Sequence, residues 1–349
     1  LKYLCLVSTI QPIHMNAIIL LLGFLFGAIL QYSKLNRFNV ISGMATLENF
    51  VVAKAIAVAI GTGSVIIAIE IGLGFATYHI KPFLLGGIAI GGIVFGSGMA
   101  ILGYCPGTLP VSLGEGSLDA LIGIIGALAG GLIYTLLVPS VQSILGPDLG
   151  SISLYTLIGQ HHFIFYMVDI IIGLAFIWSA FWLNKKEKAT DLRWLYSGIG
   201  LAVLNAIVFL EVLTNRIIGA STAYPYTADV LTATTNNNYF LKIQQPGQWE
   251  VMFLTGAFVS GIVISLLRKE FKITLIHSSW EKYKGSSAPK RIIWSFTGGF
   301  ILIFGARMAG GCTSGHVLSG GMQLALSSLV FAVFVFGGLL LTGKFFYKY

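Results

Sequence analysis

Charge is what this chain has least of. Of its 349 residues, 13 are Asp or Glu and 21 are Lys or Arg, while 56 % are hydrophobic and the mean hydropathy is +0.87. So little polar surface cannot coat a soluble globule of this length, so lipid is the solvent for most of the chain. Cysteine is scarce too, and three residues make no disulfide framework. Cys5, ahead of the first apolar run, reads as incidental. No glycine-rich loop is followed by Lys-Ser or Lys-Thr, which excludes nucleotide hydrolysis by a P-loop. The alternation of apolar and polar residues expected of an outer-membrane barrel is also missing.

What is present is a series of apolar runs long enough to cross a bilayer as helices, each near 20 residues. Nine can be marked: 15–31, 45–75, 82–102, 118–138, 163–183, 194–213, 249–267, 292–309 and 322–342. The fold class expected is an all-α integral membrane protein. The 43 glycines cluster in pairs such as Gly91-Gly92 and Gly298-Gly299, and small residues let helix backbones approach closely in lipid. The first run lacks the basic flank and cleavage signature of a signal peptide and reads as a helix.

The formal net charge of +8 suggests nucleic acid only until the charges are located. They lie between the runs. Lys185, Lys186, Lys188 and Arg193 fill one loop, and Arg268, Lys269, Lys272, Lys282, Lys284, Lys290 and Arg291 fill another. The positive-inside rule places both in the cytoplasm and segment 138–162, which has no Lys or Arg, outside. The N-terminus is then outside and the C-terminus cytoplasmic, with 15 of the 21 basic residues on the cytoplasmic side. Lys81, Arg216 and Lys242 run against this rule.

The chain also resembles itself. Phe95-Gly96-Ser97-Gly98-Met99-Ala100, followed by Gly103-Tyr104-Cys105-Pro106-Gly107, matches Phe304-Gly305-Ala306-Arg307-Met308-Ala309, followed by Gly310-Gly311-Cys312-Thr313-Ser314-Gly315. From the cysteines onward Ser112 meets Ser319 and Gly114 meets Gly321 without a gap. A weaker match joins Arg37–Ser42 to Arg216–Ser221. We divide the chain into a first membrane repeat (15–138), a linking helix with its loops (139–193) and a second repeat (194–349). Five spans separate the starts of the repeats, which makes them inverted, as in many secondary transporters. Segments 33–44, 103–117, 214–227 and 310–321 break the helical pattern with Gly, Pro, Ser, Thr and Asn. Irregular backbone at membrane depth must be buried in protein or line water. The four are expected to re-enter from both sides and form an hourglass, the alternative being ordinary surface loops.

Cys105 and Cys312 occupy matched places in these breaks. Either they pack as small hydrophobes, or their thiols donate to a soft sulfur atom while nearby backbone amides hold oxyanion oxygens. The pathway residues expected around them are Gly103, Pro106, Gly107, Thr108, Gly311, Thr313, Ser314, His316 and Ser221. Arg307, a charge inside a span, faces a cavity or a partner; it either attracts an anion or pairs with Asp169, Glu70 or Glu211. Lys54 is expected to pair with Glu48 or Glu70, and Asn205 to bond between helices. His316, four residues past Cys312, suggests a hydrogen-bonding role rather than a metal ligand, and neither a metal nor a cofactor is expected.

At these motifs the chain resembles the YeeE/YedE family of sulfur transport proteins, through Gly103–Thr108, Gly310–His316 and Gly219-Ala220-Ser221-Thr222-Ala223-Tyr224-Pro225. The resemblance implies thiosulfate uptake across the bacterial inner membrane, through nine spans and inward-pointing loops whose cysteines pass the anion along. It also implies a small cytoplasmic sulfur-carrier protein as partner. Where many members have a cysteine after Arg-Phe, this chain has Asn39, an amide able to donate to an oxyanion. A permease for a thiosulfate-like sulfur anion is thus the first reading. Its alternatives are a permease for another sulfur or selenium compound, a sulfurtransferase forming a cysteine persulfide with His316 as base, and an inert scaffold.

Overall fold

A computed structural model describes residues 2–348, and their side chains from Met15 onward, so Cys5 lies outside the described side chains. The described residues are helical with no strand. Nine helices have 17 or more residues: α1 (Lys2–Tyr32), α3 (Val51–Gly72), α4 (Leu85–Leu102), α6 (Leu118–Val141), α8 (His162–Glu187), α9 (Arg193–Phe209), α11 (Asn238–Leu267), α13 (Ala288–Met308) and α14 (Leu326–Phe346). Five short helices lie between them: α2 (Phe38–Ala45), α5 (Thr108–Gly114), α7 (Leu154–Ile158), α10 (Ala223–Leu231) and α12 (Ser278–Lys284). A π-helical turn occupies Thr313–Gly320.

Each of the nine apolar runs coincides with one long helix. Among the described residues seven are long and apolar enough to cross a membrane alone, α13 passes the same test together with the π-helical turn from which it is bent by 48°, and α9 is a shorter apolar helix of 17 residues. The protein is therefore an all-α, multi-pass membrane protein. The ends differ from the runs where polar residues enter a helix. Helix α11 starts 11 residues before Trp249 because the Asn237 side chain accepts from the Phe240 N–H and caps it. On α8, Phe163, Ile164, Ile171, Leu174 and Trp178 stay exposed, a face suited to lipid and not to water.

The pairings of the long helices come in couples. Helix α4 packs along α13; α4 also packs on α14 as α6 does on α13, and α1 packs on α11 as α9 does on α3. Exchanging the first four of these helices for the last four leaves that list unchanged. At the α4–α13 crossing the backbones touch through glycines. A Cβ on Gly98 would lie 2.4 Å from the Leu302 nitrogen, and one on Gly305 would lie 2.4 Å from the Phe95 nitrogen. These two contacts are exchanged by the offset that relates Cys105 to Cys312. That offset continues back through the helices, two residues away from the one that aligns Phe95 with Phe304. Alanine at either glycine would push the helices apart.

One face carries Lys34, Arg37, the 185–193 loop and the 268–287 loop, and there charges are paired. Arg37 binds Glu270 and lies 3.7 Å from Glu115, Lys282 binds Glu48 at 2.8 Å, and Arg291 binds Asp119 at 2.5 Å with both side chains fully buried. Lys54 bonds Glu187 at 2.5 Å and Asn184 at 2.9 Å, not Glu48 or Glu70. The correction is geometric: the first turn of α3 lies against the last turn of α8, and Glu48 is already held by Lys282 and Tyr283.

Candidate functional site

Both cysteines follow a helix that a left-handed glycine stops. Gly103 caps α4 with φ +80°, Gly310 follows α13 with φ +74°, and each cysteine sits two residues on. A side chain on Gly103 would also strike the Phe38 ring, so glycine is required there twice over. Past the turn, the Cys105 N–H donates to Thr108 Oγ1 at 2.9 Å, and that hydroxyl donates back to the Cys105 carbonyl at 3.0 Å, starting α5. Cys312 leads into the π-helical turn, its sulfur 3.2 Å from Ser314 Oγ.

The four broken segments meet. Within the first half, Ser112 donates to the Asn36 carbonyl at 2.6 Å; within the second, the matched Ser319 donates to the Ile218 carbonyl at 3.4 Å and to Asn205 at 2.8 Å. Between the halves, Tyr224 donates to the Pro106 carbonyl at 2.7 Å, Gly107 lies against Ala220, and the Cys105 thiol is beside the Thr108 and Thr313 hydroxyls. Cys105, Thr108, Thr313 and Ser314 thereby line one cavity of about 80 Å³, whose other walls include Phe26, Leu35, Ile41, Met44 and Met99. That volume admits several waters or one small anion.

Cations gather at the Cys312 side. Arg307, 9 % exposed, donates to Tyr239 OH at 2.7 Å, Thr222 Oγ1 at 3.0 Å and Ser221 Oγ at 3.4 Å. None of Asp169, Glu70 and Glu211 is bonded to it, because α13 turns this side chain toward α10 and α11. Glu250, in the same surroundings, accepts from the Thr222 and Ala223 N–H groups at 2.5 and 3.1 Å and so caps α10. Lys81 reaches in from the link between α3 and α4 and donates to the Gly310 carbonyl at 2.7 Å. Its ammonium fills the space that a side chain on Gly311 would need. Burial pulls the Lys81 pKa down to about 8, opposed by the neighbouring Cys312 sulfur and assisted by Arg307.

Asn39 lies apart from the cavity, whereas His316 is held by hydrogen bonds. Asn39 is exposed, donating to Ser278 Oγ at 2.9 Å and accepting from the Ser279 N–H at 3.1 Å, so both ends of its amide are taken by α12. His316 is fully buried with Nε2 2.9 Å from the Ala309 carbonyl and Nδ1 3.0 Å from Ser328 Oγ. Neither of these bonds reaches the Cys312 thiol, whose recorded partner is Ser314 Oγ. Among the described residues no cluster of three metal-ligating side chains occurs. Lys81, Tyr239 and Glu250 are not among the site residues expected from sequence. The one signal for Lys81 was its position on a face where the positive-inside rule expects none.

A family model described as Sulphur transport matches residues 33–341. The chain belongs to the sulphur transport family. It is also similar to the thiosulfate transporter TsuA of Spirochaeta thermophila, 24 % identical over 335 residues that cover 90 % of this chain and 94 % of that one. Membership makes this chain a sulfur transport permease of the membrane, and it covers every broken segment described above.

Proposed function

We propose that the chain takes up thiosulfate, or a closely similar small sulfur anion, across the inner membrane, with its N-terminus outside and its C-terminus in the cytoplasm. Residues 15–138 and 194–349 act as two inverted halves joined by 139–193, and the substrate crosses where they meet. The observation that carries this reading is the contact of the two motifs: the Cys105 thiol of one half lies beside Thr313 of the other, at the head of a cavity that both line. Lys81 and Arg307 draw the anion to Cys312, whose thiol donates to the terminal sulfur while hydroxyls and free backbone N–H groups take the oxygens. The anion then passes Thr313 and Cys105 into the apolar cavity, where binding is weak enough for release. Gly103, Pro106, Gly107, Gly311 and Ser221 shape this passage, and Thr108 and Ser314 line it; His316 holds the second loop in place through Ala309 and Ser328. Substrate leaves at the face of the 268–287 loop, where a small sulfur-carrier protein would receive it.

Uptake of thiosulfate labelled on both sulfur atoms tests this, with the intact chain compared with Cys105→Ala, Cys312→Ala and Arg307→Ala. Joint uptake of both labels that is lost in the cysteine variants is expected. Release of one label outside, or a persulfide accumulating on Cys312, would instead favour the sulfurtransferase.

A further inference from the structure

A second polar site lies away from the cysteines. Between α3 and α8 a cavity of about 10 Å³, room for one water, is lined by Ser64, Tyr78, Asp169, Met322, Gln323 and Leu324 among its walls. Asp169 is 2 % exposed and its Oδ2 makes no well-formed hydrogen bond; the neighbouring polar group is the equally buried Ser64 hydroxyl, which carries no charge. No ion pair among the described residues reaches Asp169. A buried carboxylate without a counter-charge is held neutral or takes a cation. The wall is too poor in oxygen for a hard metal ion, which wants six or more ligands, because the Gln323 amide is already committed to His79 and Ser319. A proton fits.

The same wall belongs to the second cysteine loop. Met322, Gln323 and Leu324 follow the π-helical turn directly, Met322 Sδ lies 3.0 Å from Asn205 Nδ2, and Leu324 holds φ +46°, a conformation that costs a leucine strain. A change of charge on Asp169 therefore acts on a strained turn that continues the chain from the Cys312 loop. The titratable groups that face the carboxyl are Tyr78 from the α3–α4 link, with Tyr155 of α7 and Tyr166 of α8 clustered behind it. Glu70, half-buried further along α3, is the one carboxyl on that helix.

We propose that Asp169 is a proton site coupled to anion movement: a proton from the outer side neutralises the carboxylate, and its release on the inner side accompanies delivery of the anion. The inference rests on uptake of a divalent sulfur anion as read above. A membrane potential of 100 mV, negative inside, opposes each negative charge roughly 50-fold, so a dianion faces an adverse ratio of roughly 2,000-fold without accompanying cations.

The full chain reconstituted in vesicles, with labelled thiosulfate as the probe and a pH dye in the lumen, tests it. An outside-acid gradient is expected to raise accumulation at least about tenfold and thiosulfate to acidify the lumen. Asp169→Asn, locked in the neutral state, should still exchange labelled for unlabelled thiosulfate but lose the gradient-driven accumulation. Accumulation by Asp169→Asn equal to the native chain's, or native accumulation that follows a sodium gradient and ignores pH, overturns the proposal. If Asp169→Asn does not fold, Asp169→Glu decides: thiosulfate-dependent acidification with a shifted pH midpoint supports the site, and an unshifted midpoint overturns it. Failure of the native chain even to exchange thiosulfate would remove the substrate reading, and this proposal with it.

Discussion

The cations at the two ends of this protein are held differently. On the face of the 268–287 loop, Arg37, Lys54, Lys282 and Arg291 each touch a carboxylate. Around Cys312, Lys81 bonds only a backbone carbonyl and Arg307 bonds only a phenol and two hydroxyls. A guanidinium against a carboxylate is spent on structure, whereas one against neutral oxygens keeps attraction for an anion that can exchange with them. Glu250 offsets part of that charge from its cap on α10. The contrast is what the proposed function uses, with recruitment at the Cys312 end and cohesion at the other.

The comparison can be broken most forcefully at its paired end. Arg291→Met removes the guanidinium from the fully buried Asp119, leaving it only Tyr104 and His277, and should cost about 3 kcal/mol. The melting temperature in detergent should fall accordingly, and Asp119→Asn added to it should recover most of the loss. At the other end, Ser221→Asp would give Arg307 the carboxylate it lacks. Uptake should then fall about ten- to hundred-fold, the worth of a hydrogen bond to a charged group, with little change in melting temperature, while Ser221→Ala stays within about threefold.

Lys81→Met should raise KM about tenfold with kcat nearly unchanged, since it removes attraction and leaves the waist intact. The pH dependence sharpens this. With its pKa lowered to about 8, Lys81 is charged below that pH and neutral above it, so uptake by the native chain should decline as pH rises through about 8. That decline should be absent in Lys81→Met, and Lys81→Arg should retain uptake above it. The smallest effect belongs to Glu48, whose carboxyl is held below its ordinary value by hydrogen bonds from Lys282 and Tyr283. A lowered carboxylate pKa contributes stability above the unfolded value and loses it as pH falls. Since the pair is half exposed, Glu48→Gln should move the melting temperature at pH 7 by no more than about 2 °C and leave uptake unchanged.

How far the sequence reached depended on the kind of interaction. Spans are legible because lipid imposes one requirement on about 20 consecutive residues, and nine runs became nine helices. The start of α11 was not, because Asn237 and the polar residues before Trp249 form helix that hydropathy cannot register. The paired cysteine motifs were legible as a repeat, and the fold puts Cys105 and Thr313 side by side. The ion-pair alternative for Arg307 does not form and Lys54 takes other partners than Glu48 or Glu70, because a list of available carboxylates says nothing of how each helix is rotated. Asn39 was read as a donor for the anion, and the orientation of α2 instead gives its amide to α12.

By itself, then, the sequence determined that this chain lives in lipid, crosses it repeatedly as helices, and carries one cysteine motif twice in glycine-rich breaks. Those properties are written in local composition and spacing. It took the tertiary structure to set Lys81, 229 residues before the Gly310 carbonyl it binds, beside Cys312, and to turn Asp169 toward a small pocket with Ser64 and Tyr78 rather than toward Arg307. Such contacts depend on which helices become neighbours and which faces they turn to one another, and in a membrane that is settled by close packing of small residues across the whole bundle.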